Sequence, residues 1–116
     1  MKTEIFVYKN IEYTIYIGQN KHENCQMIDA AEETDIWFHI ENMASCHVVL
    51  KNVEKVKLRD IPRQVIKRCA YLCKINSSLL VKAMPKCNVI YTAISEVVKT
   101  DIVGKVTVSN YKTVSS

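Results

Sequence analysis

Two strand-like segments joined by only six residues place the strongest constraint on the fold of this chain. Residues 35–40 and 47–51 alternate in side-chain character, and the short connection 41–46 suits an antiparallel pair. The predicted buried face consists of Ile36, Phe38, Ile40, Val48 and Leu50. Because successive side chains of a strand point to opposite faces, we expect the other face to carry Trp37, His39, His47 and Lys51.

The segments before this pair predict a hairpin followed by a short helix. Residues 5–8 and 13–17 are rich in β-branched and aromatic residues, and Gly18 ends the second run. Asn20 with Glu23 three positions later is typical of a helix start, and the helix is expected to run to about Ala31. The predicted inward-facing residues are Tyr13, Ile15 and Ile17 of the hairpin and Met27, Ile28 and Ala31 of the helix.

Residues 61–75 form the clearest predicted helix. Asp60 can cap it, Pro62 is tolerated in its first turn, and the segment contains no glycine. At 100° per residue the predicted core stripe consists of Ile61, Val65, Cys69, Leu72 and Cys73. The opposite side carries Arg63, Lys67 and Lys74, with Tyr71 beside them, and we expect this basic stripe to face solvent or a ligand.

The remaining segments complete an α+β pattern. After a loop around Met84 and Pro85, residues 88–93 and 105–109 are predicted strands, and residues 94–101 between them are a predicted turn or short helix. About six strands and two helices without βαβ regularity predict an antiparallel-dominated sheet with its helices on one face. No repeat or Gly/Ser-rich linker divides the 116 residues, so we expect one domain over residues 1–116.

Charge is divided unequally along the chain. Residues 1–50 hold eight acidic and three basic residues, whereas residues 51–116 hold four acidic and thirteen basic ones, for a net charge of +4. No carboxylate occurs between Asp60 and Glu96, so a one-sided positive field is expected, for which a phosphate backbone is the natural partner. The other interpretation is that the two halves pack together and partly cancel, which leaves a solvated basic face without a ligand.

Composition excludes several classes of protein. A hydrophobic share of 48% with 24% charged residues is that of a globular chain and excludes disorder. No apolar run is long enough to insert into a membrane, and the first residues do not form a signal peptide. The odd number of five cysteines indicates reduced thiols, so we expect an intracellular and most simply a cytoplasmic protein.

Catalytic and metal chemistry have little support. His39, Cys46 and His47 could converge, and Cys69 and Cys73 share one side of a helix, but the sequence has no CxxC or HxxxH pair. Cys46 and His47 are chain neighbours on opposite strand faces, which is poor geometry for a nucleophile and its base. No Walker loop, Rossmann glycine motif or GxSxG elbow occurs. We therefore predict no enzyme activity, no cofactor and no metal.

Several motifs taken together resemble a known family. They are Gly-Gln-Asn-Lys-His-Glu-Asn at 18–24, Asp-Ile-Trp-Phe-His at 35–39, Ser-Cys-His-Val-Val-Leu at 45–50, Val-Ile-Tyr-Thr at 89–92 and Val-Lys at 98–99. The combination resembles the NFACT-R domain, also called DUF814, over residues 13–106. It is most similar to the short eukaryotic-type form of the family, which normally carries a coiled-coil tail after the domain, so that tail is expected to be missing here.

The resemblance implies a module that binds RNA, with tRNA most expected, and a link to the ribosome, translation and ribosome-associated quality control. Binding to DNA fits the charge equally well. The chain departs from the family at Gln19, where Arg is frequent, at Ser45 and Cys46, where a Gly-Ser pair is commoner, and at Thr100, where a second Lys is usual. The tail-elongating activity of the large multidomain relatives does not carry over to this chain.

The predicted nucleic-acid-binding residues come from two sources. The strand face and the basic helix supply Trp37, His39, His47, Lys51, Arg63, Lys67 and Lys74, and the resemblance adds Lys21, Asn24 and Lys99. For Trp37 burial beneath a helix is the expected state, because a sole tryptophan on a central strand is usually a packing anchor. The alternative function is a protein adaptor whose sheet edge or basic helix binds an acidic partner without nucleic acid.

Overall fold

The computed structural model describes residues 1–116 and contains eight strands and three α-helices. The strands are β1 (Lys2–Tyr8), β2 (Ile11–Gly18), β3 (Ile36–Ile40), β4 (His47–Leu50), β5 (Asn88–Ala93), β6 (Val97–Lys99), β7 (Val106–Val108) and β8 (Lys112–Ser115). The helices are α1 (Lys21–Ala30), α2 (Arg63–Ile75) and α3 (Leu79–Lys82), with 3₁₀ turns at Leu58–Asp60 and Ile94–Glu96.

Six of the strands form one antiparallel sheet in the order β1-β2-β4-β3-β5-β8. The predicted pair β3 and β4 lies at its centre, with Trp37 opposite Val49 and Phe38 opposite Val48. The predicted N-terminal hairpin is confirmed as β1 and β2. Strands β6 and β7 pair only with each other and form a separate hairpin. The α+β prediction of a single domain with a six-stranded sheet is confirmed, although its sixth strand is β8.

One face of the sheet packs against α2 and holds the larger core. This core has 19 buried residues. It contains all five residues of the predicted buried strand face and all five residues of the predicted core stripe of α2. Val65, Cys69 and Cys73 have no measurable exposure. The 3.6-residue period of α2 and the two-residue period of the strands therefore located this face correctly.

The opposite face packs against α1 and the β6–β7 hairpin. Met27 and Ile28 of α1 are buried against Trp37 and Val49 of the sheet. The expectation that both helices lie on one face is therefore wrong. The physical reason is that β3 and β4 are apolar on both faces, so each face of the sheet needs its own cover to exclude water.

Three local predictions are also corrected. Asp60 does not cap α2: it belongs to a 3₁₀ turn, and Pro62 is the residue before the helix, where no side chain caps it. The predicted turn or short helix at 94–101 is confirmed as a 3₁₀ turn over Ile94–Glu96 only, because the chain continues as the strand β6. The segment 111–116 contains β8, which the sequence did not suggest because Val114 is its only buried residue. None of the helices has the length and apolar character needed to cross a membrane.

Candidate nucleic-acid interface

A cleft of about 950 Å³ opens where β3 ends and β4 begins, on the face that carries α1. We call it the β3–β4 cleft. The start of α1, the loop before β4, the loop after α2 and the β6–β7 hairpin surround it. Half of the ten predicted binding residues line this cleft, namely Lys21, Asn24, Trp37, His39 and His47.

Trp37 forms the base of an aromatic cluster in the cleft. It is only 1% exposed, which confirms the expected burial. The imidazole of His39 stacks on its indole at a centroid distance of 5.5 Å and an interplanar angle of 12°. The indole Nε1–H of Trp37 donates to Nδ1 of His47 over 3.2 Å. Because its indole is buried in this way, Trp37 positions the two histidines. His39 is only half-buried, so a base that entered the cleft would contact His39 before Trp37.

The two histidines are fixed in opposite tautomers. An indole N–H can only donate, so Nδ1 of His47 accepts and the ring proton of neutral His47 is on Nε2. Nδ1 of His39 lies 2.6 Å from the carbonyl oxygen of Ile40, which can only accept, so His39 carries its proton on Nδ1 and leaves Nε2 as an acceptor.

Burial keeps both rings uncharged at neutral pH. It lowers the pKa of His39, an effect that the hydrogen bond to the Ile40 carbonyl partly offsets. Burial and, second to it, the neighbouring His39 together lower the pKa of His47 to about 3. The cleft therefore presents two neutral imidazoles, one a donor and one an acceptor.

Asn24 occupies the remaining part of the cleft floor. Its Oδ1 accepts the backbone N–H of His47 over 3.3 Å, and its Nδ2 has no hydrogen-bond partner within the protein. Gly18 makes room for this contact, because a Cβ there would lie 2.2 Å from Asn24 Oδ1. The start of α1 is fixed independently, since the side chain of Asn20 accepts from Glu23 N and Glu23 Oε1 accepts from Gln19 N. The predicted helix start is confirmed in this form.

The rim of the cleft supplies residues that the sequence did not single out. Lys105 and Tyr111 line it, and both are exposed, as is Lys21 at the start of α1. Gly104, at φ +81°, lets the β6–β7 loop approach α1 so closely that a Cβ there would lie 2.6 Å from Lys21 Cβ. No local sequence signal could have found Lys105 and Tyr111, because their place depends on how this hairpin folds against α1.

The other predicted residues lie outside the cleft. Lys51 pairs with Glu32 and Asp35, and Lys99 pairs with Asp29. These carboxylates raise the pKa of both ammonium groups, mainly because Lys51 donates a hydrogen bond to Glu32 and Lys99 donates one to Asp29. The ammonium group of Lys74 donates to the backbone carbonyl oxygens of Pro85 and Ser116. Arg63 and Lys67 are exposed on α2 without an ion pair, in the layer opposite α1. The predicted stripe thus reduces to these two residues.

The sheet keeps Cys46 and Cys73 apart from His39 and His47. The thiol of Cys46 contacts Cys73 of α2, with 4.0 Å between the sulfurs, whereas His47 faces Trp37 on the other side. The Cys73 pKa is raised, first by its hydrogen bond with Cys46 and then by burial. No group of three histidine, cysteine or carboxylate side chains has an arrangement that could hold a metal ion.

Comparisons with known proteins identify the family of this chain. The family model described as the NFACT protein RNA binding domain matches residues 2–110. Coiled-coil domain-containing protein 25 of Mus musculus is 43% identical over 88 residues, which cover 76% of this chain and 42% of the relative. Protein JLP2 of Saccharomyces cerevisiae is 37% identical over 83 residues, which cover 69% of this chain and 39% of the relative.

A solved structure shares the fold. The C-terminal part of the fibronectin/fibrinogen-binding protein from Streptococcus suis superposes with a TM-score of 0.81 at 21% identity, over 99% of this chain and 45% of that one. The chain spans less than half the length of these relatives. The family match over nearly the whole chain, with the 43% identical relative, shows that the chain belongs to the NFACT RNA-binding domain family.

Proposed function

We propose that this domain is a non-enzymatic RNA-binding module that takes a single-stranded segment into the β3–β4 cleft. The observation that carries the proposal is the convergence of Asn24, His39 and His47, which belong to three separate sequence motifs, at the floor of one cleft with lysines at its rim. Proteins that read single-stranded RNA combine aromatic surfaces and hydrogen-bonding groups for the bases with cations for the backbone. The cleft has each of these components.

The charges on the cleft suit a nucleic-acid backbone. Lys21 and Lys105 both stand on its rim, where the β6–β7 loop meets the start of α1, and Tyr111, half exposed, adds an aromatic surface to the lining. Lysine contacts to phosphate position a strand without reading its sequence. Arg63 and Lys67 add a second, separate basic surface, which we assign to weaker contacts with the flanking RNA.

We infer that the RNA is tRNA or another translation-associated RNA, and that the domain acts beside the ribosome, as in quality control. The family description and the basic C-terminal half support this inference. We place the module in the cytoplasm for the same reason, since that is where such RNA is used.

Binding measurements with matched lysine variants test the proposal. Fluorescence anisotropy with tRNA and with an unstructured single strand at about 50 mM salt is expected to show binding tighter than about 100 μM. A Lys21→Ala, Lys105→Ala double variant should weaken binding and reduce its salt dependence. Lys57→Ala removes an exposed lysine just before the 3₁₀ turn at Leu58–Asp60, outside the cleft, and should change little. Absence of binding to either RNA would overturn the proposal.

An adaptor function is favoured by one separate observation. Leu79 and Leu80 of α3 are 82% and 71% exposed and adjacent, which is unusual for two leucines of a folded domain. If capture experiments gave the same partners with and without nuclease, and a Leu79→Ser, Leu80→Ser variant lost them, the adaptor function would replace RNA binding. We expect nuclease to remove most partners and the double serine variant to keep RNA binding.

A further inference from the structure

The floor of the β3–β4 cleft is an ordered row of hydrogen-bonding groups. Gly18 of β2 pairs with His47 of β4, and Asn24 covers Gly18. The imidazole of His47 lies in turn 5.0 Å from that of His39 on β3. Asn24, His47 and His39 therefore follow one another across the sheet in that order. We call them the polar row.

Each member of the polar row offers one group with a fixed character. Asn24 uses its oxygen to accept the His47 backbone N–H, so its Nδ2 is left as a donor. Nε2 of His47 is a donor and Nε2 of His39 is an acceptor, because their other ring nitrogens are already committed to Trp37 and Ile40. Asn24 and His47 are 6% and 2% exposed as whole residues, but neither Asn24 Nδ2 nor His47 Nε2 is a fully buried atom without a partner, so both donors are open to a group that enters the cleft.

We propose that the polar row reads the Watson–Crick edge of one unpaired base and selects cytosine. In the order Asn24, His47, His39, the row presents a donor, a donor and an acceptor. These groups are complementary to O2, N3 and the exocyclic amine of cytosine, in the same order. This inference rests on the proposed RNA-binding function and specifies what the cleft recognises.

His47 at the centre of the row provides most of the discrimination. Cytosine and adenine present an unprotonated ring nitrogen at the middle of this edge, whereas uracil and guanine present an N–H, which would face the Nε2–H of His47 in either orientation. Asn24 then separates cytosine from adenine, because adenine has only a C–H where cytosine has O2. The acceptor on His39 disfavours a phosphate at the floor, since phosphate oxygens cannot donate. The expected order of affinity is cytosine, then adenine, then uracil and guanine.

Short homopolymers test the order directly. Anisotropy with RNA hexamers of cytidine, adenosine and uridine, and with an abasic ribose-phosphate hexamer, should show cytidine binding at least about tenfold tighter than uridine. Equal affinity for the three base-bearing hexamers, or equally tight binding of the abasic one, would overturn base reading while leaving RNA binding intact. If none of the hexamers and no tRNA binds, the proposed function itself fails.

The variant Asn24→Asp tests the assignment within the row. An aspartate keeps the oxygen that accepts the His47 N–H and removes only the Nδ2 donor, so the fold should be retained, which circular dichroism can check. The added negative charge weakens all hexamers, and the cytidine to adenosine affinity ratio should fall to one or below, because a carboxylate oxygen then faces O2 of cytosine but only a C–H of adenine. Lys21→Ala is the matched control, because it should weaken every hexamer and leave that ratio unchanged. A ratio that Asn24→Asp does not change would contradict the role of Asn24.

Discussion

Replacement of Gly18 by alanine tests whether the floor of the cleft is built as described. The glycine is not needed for an unusual backbone angle: its role is to provide space, because an added Cβ would lie 2.2 Å from Asn24 Oδ1 and 3.1 Å from Met27 Cε. A contact of 2.2 Å cannot be accommodated, so the Asn24 side chain must move and release the backbone N–H of His47.

The cost can be worked out from that lost bond. A buried N–H left without its acceptor costs about 1–3 kcal/mol. Alanine in a strand is more favourable than glycine by about 0.5–1 kcal/mol, which offsets part of this cost. We therefore expect Gly18→Ala to lower the free energy of unfolding by about 0–2.5 kcal/mol, and to weaken RNA binding at the same time because Asn24 leaves the cleft.

Urea unfolding in a double-mutant cycle provides the assay. If the contact with Asn24 causes the loss, Gly18→Ala should cost little or even stabilise the protein when Asn24 is already alanine. Equal costs of Gly18→Ala in the two backgrounds would refute the reasoning. So would a Gly18→Ala variant with full stability and unchanged binding.

Three further predictions concern α2 and the buried histidine. The double variant Arg63→Glu, Lys67→Glu should change the free energy of unfolding, measured in urea, by about 0.5 kcal/mol or less per site. It should weaken tRNA binding in anisotropy and reduce the dependence of binding on salt. Unchanged binding would show that this surface is only a solvated face. Val65→Ala should do the reverse and cost about 1–3 kcal/mol, since Val65 is fully buried, while folded molecules bind tRNA as before. Burial lowers the pKa of His47 to about 3, below its ordinary value of 6.5. The unfolded chain therefore binds the extra proton, and the free energy of unfolding should fall as pH is lowered from about 6.5 towards 3. In a His47→Gln variant the free energy of unfolding, measured in urea across this pH range, should fall less than in the unchanged protein. An equal fall would contradict the assignment of this pH dependence to His47.

The parts of the fold that the sequence predicted are those governed by local periodicity. The alternation in β3 and β4 placed Phe38 and Trp37 on opposite faces, and the structure has them in two separate cores. The helical stripe of α2 was found for the same reason. Which face each helix covers is a different question, because an amphipathic pattern shows that a helix buries one side and does not show against which surface.

The site was predictable only in part. Asn24, His39 and His47 could be singled out from motifs, but the tautomers that give them their chemistry depend on contacts with Trp37 and Ile40 that only the folded chain makes. Charge was a poorer guide. A sequence count includes residues such as Lys51 and Lys99 as free cations, whereas the fold pairs them with carboxylates.

The most direct test of the account is an NMR titration of the ¹⁵N-labelled protein with a cytidine-rich single-stranded RNA. We predict that the largest shifts will cluster around the β3–β4 cleft, at Lys21, Asn24, His39, His47 and Lys105, with smaller ones at Arg63 and Lys67. Shifts confined to α2, or no shifts at RNA concentrations up to about 100 μM, would contradict it.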